Sequence, residues 1–295
     1  MVVALLMAVV AVPAVLAAAT QGAPQAPAPV TPGRFPDPPA ADRATVWAVG
    51  DAKYSDAARA VARLVERGRP TRFLYLGDVY ERGSAADFVA NYDTVYGSLR
   101  DITLPTPGNH DWGRHNVGYD PYWSRVAGGP PPPYYAVSLA GWQVISLNSE
   151  MDHAPGSAQV RWLRGRVAGP GSCRIAFWHR PRYSAGTHGD QPDLQPFWNA
   201  LIGRAVLVLN GHDHDMQRLH PHRGITELVS GAGGRGHYGV DAGDRRLAFS
   251  DDETDGALRL VLRPGIARYA FVSVSGRVLD SGVVRCRTAE ADPPR

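Results

Sequence analysis

Short apolar runs alternate with amphipathic helical patterns from residue 45 onward, and this alternation restricts the fold more than any other feature of the chain. Residues 45–50 (TVWAVG) and 72–77 (RFLYLG) predict buried strands. Between them, residues 55–67 carry apolar side chains at helical spacing, namely Ala58, Val61, Leu64 and Val65. Ser55 is the predicted N-cap of this helix. A second helix is predicted from Ser84, and a third strand over 102–106. This order is typical of a layered α/β domain.

The rest of the chain predicts more strands than helices. Residues 111–133, rich in Gly, Pro and aromatic residues, predict a long irregular surface segment. A hairpin is expected over 135–147. Two helices and two strands follow, and four apolar runs separated by turns then predict strands between 225 and 284. The whole pattern predicts two sheets packed face to face with helices outside them.

The N-terminus has the composition of a targeting segment. Residues 1–19 are almost wholly apolar and end in small residues, as in a secretory signal peptide, but they lack its basic start, so an uncleaved membrane anchor is the alternative. We predict a Pro/Ala-rich linker over 20–43, a folded domain over 44–286 and a disordered tail over 287–295. The expected location is secreted or extracytoplasmic, with membrane attachment only if the N-terminal segment is uncleaved.

Charge and cysteine content restrict the partners and the compartment. The 31 Lys and Arg residues nearly balance the 28 Asp and Glu residues and form no basic run, so the sequence carries no nucleic-acid-binding signal. It also predicts no protein partner. Cys173 and Cys286 favour one disulfide in an exported protein, with two separate buried thiols as the alternative.

Residues of metal-ligand type follow five of the predicted strands. Asp51 and Asp78 follow the first two, each after a glycine. The other three strands are followed by Asn109-His110-Asp111, by His179, and by Gly211-His212-Asp213-His214. In open α/β sheets, ligands bind beyond the carboxyl ends of the strands, so five segments would deliver these side chains to one place. Taken alone, Asp51 and Asp78 are typical of turn or cap residues and His179 of a structural loop histidine, whereas turn chemistry does not account for His110. The ordered set predicts a metal site.

This ordered series of blocks resembles the calcineurin-like metallophosphoesterase superfamily, over roughly residues 46–236. Four segments are most similar to its purple-acid-phosphatase-like branch: LGDVYERGSAADF, PGNHDWG, CRIAFWHRPRYSAG and GHDHDMQR. The resemblance implies a four-layer α/β-β/α sandwich of two mixed sheets flanked by helices. It also implies two divalent or mixed-valence metal ions, with Fe, Zn and Mn all open.

The resemblance implies a role for each matching residue. Asp78 would bridge the two ions, with Asp51 and His214 on the first ion. The second ion would be held by Asn109, His179 and His212. A metal-bound hydroxide would attack phosphorus, while His110 assists the leaving group and Asp111 orients His110.

Two positions depart from the pattern of the branch. The branch has a tyrosine ligand three residues after the bridging aspartate, where this chain has Glu81. Tyr80 or Tyr54 would then substitute, or the ligand is absent. Lys53 stands where many relatives have a histidine ligand, and a protonated amine does not bind metal.

Outside the metal ligands, His188 and Arg180 are candidates for substrate binding, and a solvated loop or surface role is the alternative for each. Trp112, Tyr122 and Trp123 predict a small local core rather than a lid. We expect an exported phosphatase that hydrolyses phosphate monoesters of small molecules. The alternatives are a phosphodiesterase or nucleotide pyrophosphohydrolase, and a non-catalytic metal- or phosphate-binding surface protein.

Overall fold

The computed structural model of the protein describes residues 31–288. The predicted signal peptide, residues 20–30 of the predicted linker and residues 289–295 of the predicted tail lie outside the described residues. Within residues 31–288, no helix is both long enough and apolar enough to cross a membrane.

The described residues form thirteen strands and seven α-helices. The strands are β1 (Ala44–Val49), β2 (Arg72–Tyr75), β3 (Thr103–Pro105), β4 (Tyr135–Leu139), β5 (Trp142–Ser146), β6 (Arg174–Phe177), β7 (Leu207–Asn210), β8 (Met216–Leu219), β9 (Thr226–Ser230), β10 (Leu247–Asp251), β11 (Gly256–Arg263), β12 (Ile266–Ser273) and β13 (Val278–Arg285). The helices are α1 (Asp56–Arg67), α2 (Ala85–Asp87), α3 (Thr94–Tyr96), α4 (Asn109–Trp112), α5 (Tyr119–Ala127), α6 (Ala158–Arg166) and α7 (Gln195–Leu201). A π-helical turn (Phe88–Asp93) joins α2 to α3, and 3₁₀ turns cover Gly97–Ile102 and Pro192–Leu194.

Two mixed sheets form the centre of the fold, as predicted. The first has the strand order β13-β12-β11-β1-β2-β3, and the second has the order β10-β8-β9-β7-β6-β5-β4. Within the first sheet β1, β2 and β3 are parallel, and within the second β5, β6, β7 and β9 are parallel. The strand-rich C-terminal part does not form a sheet of its own, because β11 pairs antiparallel with β1 and extends the first sheet. Each sheet therefore presents a row of parallel carboxyl ends.

A single apolar cluster fills the space between the sheets. It includes Val46 and Leu258 from the first sheet and Phe177 and Leu209 from the second, all fully buried. A second cluster packs α6 and α7 on the outer side of the second sheet. The predicted face of α1 is buried, and the Ser55 hydroxyl accepts the N–H of Ala58, as a helix cap requires. These clusters confirm a sandwich of two sheets flanked by helices.

The segment predicted as an irregular surface excursion is partly a core element, so that prediction is wrong. Helix α5 lies within it and buries Tyr122 and Trp123. The Trp123 ring packs 4.9 Å from the ring of Tyr92. Burial of large aromatic side chains outweighs the Gly and Pro content that suggested a loop. The two aromatic residues form a local core, as predicted, whereas Trp112 is half-buried and stacks on His115.

Part of the segment assigned to a linker packs on the domain. Phe35 is 2% exposed, and its ring lies 4.5 Å from the ring of Tyr135. The Arg72 guanidinium donates to the carbonyl of Pro36. The packed domain therefore begins about ten residues before the predicted boundary at residue 44, because Phe35 in this Pro-rich stretch is buried in the core.

Cys173 and Cys286 form a disulfide, which confirms the prediction. Cys173 precedes β6 of the second sheet, and Cys286 follows β13 of the first, so the bond connects the two sheets. The Ser172 N–H donates to the Arg287 carbonyl, and the Arg287 N–H donates to the Ser172 hydroxyl, which aligns the same two segments.

We expect a double Cys173→Ala, Cys286→Ala variant to lose about 4–5 kcal/mol of unfolding free energy, because the bond closes a loop of more than a hundred residues. Urea denaturation of the oxidised protein and the variant measures the difference. Reductant should destabilise the parent protein and leave the variant unchanged. Equal midpoints for the oxidised parent and the variant would contradict the expectation.

Candidate metal centre

The carboxyl ends of five parallel strands from both sheets meet at one edge of the sandwich. Asp51 follows β1, Asp78 follows β2, and Asn109 follows β3. From the second sheet, His179 follows β6, and His212 and His214 follow β7. The structure brings all six of these predicted side chains together, and their donor atoms fall into two adjacent groups.

The first group of donor atoms surrounds Nε2 of His179. That nitrogen lies 3.3 Å from Asp78 Oδ2, 3.1 Å from Asn109 Oδ1 and 3.1 Å from His212 Nδ1. Nδ1–H of His179 donates to the Leu76 carbonyl at 2.8 Å, so Nε2 is the nitrogen that faces the group. Ligand atoms of Asp78, His179 and His212 all lie within 4.8 Å of one another.

The second group consists of Asp51, His214 and a tyrosine. The Tyr80 hydroxyl lies 2.7 Å from His214 Nε2 and 3.4 Å from Asp51 Oδ1. His214 Nε2 is 3.6 Å from the same carboxylate oxygen. Of the two predicted alternatives, Tyr80 is therefore the tyrosine that lies beside Asp51 and His214. The alternative, Tyr54, is half-exposed, and its hydroxyl accepts from Arg59.

Three of these residues adopt backbone conformations that are unusual for a side chain with a Cβ atom. Asp51, Asp78 and His212 have φ values of 64°, 63° and 72°. Left-handed backbone costs about 1–3 kcal/mol per residue and clusters at functional sites. The neighbouring chain is equally restricted, because a Cβ atom on Gly108 would lie 2.0 Å from Asp78 Oδ1. The fold thus holds the backbone of Asp51, Asp78 and His212 in strained conformations.

Burial and mutual charge set the pKa values of the donors. Burial lowers the pKa of His212 to about 2 and that of His214 to about 4, so both rings are neutral and carry lone pairs at pH 7. Burial also lowers the pKa of His179, but the negative charges of Asp78 and Asp51 have the larger effect and raise that pKa to about 10. Burial, and then the carboxylates of Asp51 and Asp78, raise the pKa of the Tyr80 hydroxyl.

Metal binding should release protons, because a ligating imidazole must be neutral. His179 is protonated below a pKa of about 10, so an ion held by the group around His179 has to displace that proton, and the affinity for this ion should rise by about tenfold per pH unit over pH 6–8. Calorimetric titration of metal-free protein in two buffers of different protonation enthalpy measures this proton. Affinity that is independent of pH, with equal heats in both buffers, would show that His179 binds no metal.

Asp111 does not orient His110, so that prediction is wrong. Its buried carboxylate accepts three backbone N–H groups, from Asp78, Val79 and Gly108, at 2.8–2.9 Å. It therefore joins the loop after β2 to the loop after β3. The Asp111 side chain points away from His110 because its carboxylate accepts from these three buried backbone donors.

The His110 ring is held by a backbone carbonyl instead. Its Nδ1–H donates to the Glu81 carbonyl at 2.6 Å, and its Nε2 lies 3.9 Å from Asp78 Oδ2. The backbone N–H of His110 donates to Asp78 Oδ1 at 2.9 Å. The side chain is one-third exposed, so His110 stands at the solvent edge of the donor groups with Nε2 toward them.

The two predicted substrate-binding residues differ in their surroundings. The His188 ring lies 4.1 Å from the ring of His212, and its Nδ1–H donates to buried Asp213 at 2.9 Å. The Ser184 hydroxyl donates to the other oxygen of that carboxylate. By contrast, Nε of Arg180 donates to Glu150 at 2.8 Å, so its charge is already paired.

Sequence reasoning missed the glycine-rich loop after β9, over residues 231–238. The ring of Tyr238 stacks on that of His214 at 4.0 Å, and the Arg235 guanidinium lies 5.0 Å from the Tyr80 ring centre. The run GAGGRGHY directly after a buried strand is the signal that would have identified it, because such loops bring backbone close to a site.

The donor set suits divalent metal binding. Asp51 and Asp78 are carboxyl groups at most 1% exposed, and burial raises the pKa of Asp51, so a cation beside it would be needed to keep it ionised. Carboxylate, phenol, amide and imidazole donors without a thiol suit Fe, Zn or Mn. The two donor groups are adjacent, since Asp78 lies 3.3 Å from His179 in the first and contributes, after burial and Asp51, to the raised pKa of Tyr80 in the second.

Comparisons with known proteins agree with this geometry. Residues 44–216 match the family model for calcineurin-like phosphoesterases. Similar solved structures include the anchor protein in the inner membrane complex of Plasmodium, which has 15% identity and a TM-score of 0.67 and covers 83% of this chain and 89% of that one. A purple acid phosphatase from yellow lupin seeds has the same identity and TM-score and covers 85% of this chain and 55% of that one.

A dimetal phosphatase from Danio rerio is similar over 82% of this chain and 98% of its own, with 13% identity and a TM-score of 0.54. No curated protein sequence gives a significant match. At these identities the structural similarity shows the fold, and the family model, which spans more than half of the sequence, shows the family. This chain belongs to the calcineurin-like phosphoesterase family.

Proposed function

We propose that the protein is an exported phosphatase that uses two metal ions to hydrolyse phosphate monoesters. The observation that carries the proposal is the convergence of carboxylate, amide, phenol and imidazole donors in two adjacent groups at five strand ends. The disulfide supports export, because such bonds persist in oxidising compartments.

The proposed first ion is held by Asp51, Tyr80 and His214, and the second by Asn109, His179 and His212. Asp78 is the proposed bridge between them. Two dications bound there would neutralise the phosphoryl oxygens and bring the pKa of a water molecule toward neutrality. We assign Tyr80 to the first ion because its hydroxyl lies within 3.4 Å of both other donors.

His110 is the proposed proton donor to the leaving group. The Glu81 carbonyl fixes the proton on Nδ1, so Nε2 is the nitrogen that exchanges a proton with substrate. Its ring is one-third exposed, which suits contact with the oxygen that departs toward solvent. A leaving oxygen protonated there departs as a neutral alcohol.

His188 is the proposed contact for a phosphoryl oxygen. The Asp213 carboxylate accepts its Nδ1–H and leaves Nε2 for the substrate. Asp213 in turn is fixed by Ser184, so the ring is oriented by two buried polar groups. Arg180 is the weaker candidate because Glu150 already engages its guanidinium.

The substrate class is tested on metal-free protein reloaded separately with Mn, Zn and Fe(II). Turnover of 4-nitrophenyl phosphate should exceed that of bis(4-nitrophenyl) phosphate, which has the same leaving group, by at least about tenfold in kcat/KM for a monoesterase, a difference of about 1.4 kcal/mol in transition-state binding. A preference for the diester would support the phosphodiesterase alternative. Metal binding without turnover of either ester would support a non-catalytic binding protein.

A further inference from the structure

Three charged side chains form a cluster beside the donor groups, and we call Lys53, Glu81 and Arg235 the rim cluster. Nζ of Lys53 donates to Glu81 Oε1 at 2.7 Å, and a guanidinium nitrogen of Arg235 lies 3.2 Å from the same oxygen. The three side chains are between about one-third and one-half exposed. They are therefore accessible to a ligand that approaches from solvent.

The rim cluster carries an excess of positive charge. Two cations share a single carboxylate oxygen, which leaves one net positive charge. Nε of Arg235 is buried and has no hydrogen-bond partner among the described residues. The Arg235 side chain as a whole is one-third exposed, and its outer guanidinium N–H groups can donate charge-assisted hydrogen bonds to a phosphate oxygen.

The fold attaches the rim cluster both to the proposed metal site and to the proposed proton donor. The backbone N–H of Arg235 donates to the Asp51 carbonyl at 3.1 Å, and its guanidinium lies over the Tyr80 ring. The Glu81 carbonyl accepts from His110 Nδ1. The group attached to the leaving oxygen must emerge next to His110, and so next to these two cations.

We infer that Arg235 and Lys53 bind a second phosphate on the leaving alcohol, so that the preferred substrates are monoesters of already phosphorylated compounds. This inference rests on the proposed function and narrows its substrate class. It also accounts for Lys53 at a position where a metal ligand would be expected. A cation there binds the substrate instead of the metal.

The test compares fructose 6-phosphate with fructose 1,6-bisphosphate, two esters with the same carbon skeleton. The parent enzyme should prefer the bisphosphate, and Arg235→Gln should lower that preference in kcat/KM by about tenfold, as expected for one charge-assisted hydrogen bond. Lys53→Gln should lower it in the same direction. Glu81→Gln should raise it, by about two- to threefold, because both cations lose their shared counter-charge while the Glu81 carbonyl remains.

Arg82→Gln is the matched control, since it removes an exposed charge from the adjacent position, and the preference should stay within about twofold of the parent value. Calorimetry with propylphosphonate and propane-1,3-diphosphonate gives a readout independent of turnover. An equal effect of Arg82→Gln and Arg235→Gln, or no loss of preference in Arg235→Gln, would overturn the inference. If the parent hydrolyses neither sugar phosphate nor phenyl phosphate, the proposed function fails instead.

Discussion

Asp78→Asn should lose both metal ions and at least about 10³-fold in kcat/KM for phenyl phosphate, because each ion supplies several kcal/mol of charge stabilisation. Asp78 is the proposed bridge between the two donor groups. One carboxylate oxygen accepts the N–H of His110, and the other lies 3.3 Å from His179 Nε2. The amide keeps the shape of the side chain but removes the charge that the two proposed ions would share. Elemental analysis after dialysis measures the bound metal.

Glu227→Gln is the matched control for this prediction. Glu227 is also a fully buried carboxylate, and it accepts the backbone N–H groups of Arg182 and Tyr183 outside the donor groups. The same acid-to-amide change there should leave two metal ions per chain. If Asp78→Asn retains both ions, or if Glu227→Gln loses them as well, Asp78 is not the specific bridge.

His110→Ala should keep both metal ions and lose about 10²–10⁴-fold in kcat/KM for phenyl phosphate, the usual contribution of a positioned acid. The loss should be smaller for 4-nitrophenyl phosphate, because nitrophenolate departs without needing a proton. This dependence on the leaving group separates proton donation from a general disturbance of the site. Steady-state kinetics on the two esters, together with metal analysis, measures it.

His115→Ala is the control for the histidine change. His115 lies five residues further along the chain, stacks on Trp112 and pairs with Asp120, away from the donor groups. Its removal should leave kcat/KM within about twofold of the parent value. Loss of metal from His110→Ala would mean that His110 is a ligand. An equal loss on both esters would mean that it is not the acid.

The sequence is sufficient to predict the convergence of ligand types because two physical rules act together. Apolar runs define the parallel strands, and the carboxyl ends of parallel strands share one edge. In that scheme Asp51, Asp78, Asn109 and His179 each follow a different predicted strand. The structure brings them together, while their roles as metal ligands remain predictions for the experiments above.

Details within the loops were beyond sequence reasoning because they depend on side-chain direction. The sequence leaves three alternatives for the tyrosine ligand, namely Tyr80, Tyr54 or none, and the loop geometry places the Tyr80 hydroxyl at His214 and the Tyr54 hydroxyl near Arg59. The sequence predicts that Asp111 orients its neighbour His110, yet the Asp111 carboxylate accepts hydrogen bonds from three backbone N–H groups. Adjacent residues in a turn often point in different directions, so proximity in sequence does not give contact.

Long-range pairing was equally hidden. The pattern over 256–285 predicts strands but not that β11 pairs with β1, some two hundred residues earlier. The helix α5 was missed because its Gly- and Pro-rich surroundings dominate the local composition, although the sequence does predict the burial of Tyr122 and Trp123 in a local core. Strand pairing between distant segments depends on the whole chain and cannot be predicted from a short window of sequence.

Metal stoichiometry coupled to turnover tests the central claim most directly. Metal-free protein is titrated with Mn²⁺, bound metal is counted by elemental analysis, and phenyl phosphate hydrolysis is recorded at each step. A two-ion phosphatase should reach its maximal rate at two bound ions per chain, with little activity at one or none. Full activity in the metal-free protein, or two tightly bound ions with no hydrolysis, would contradict it.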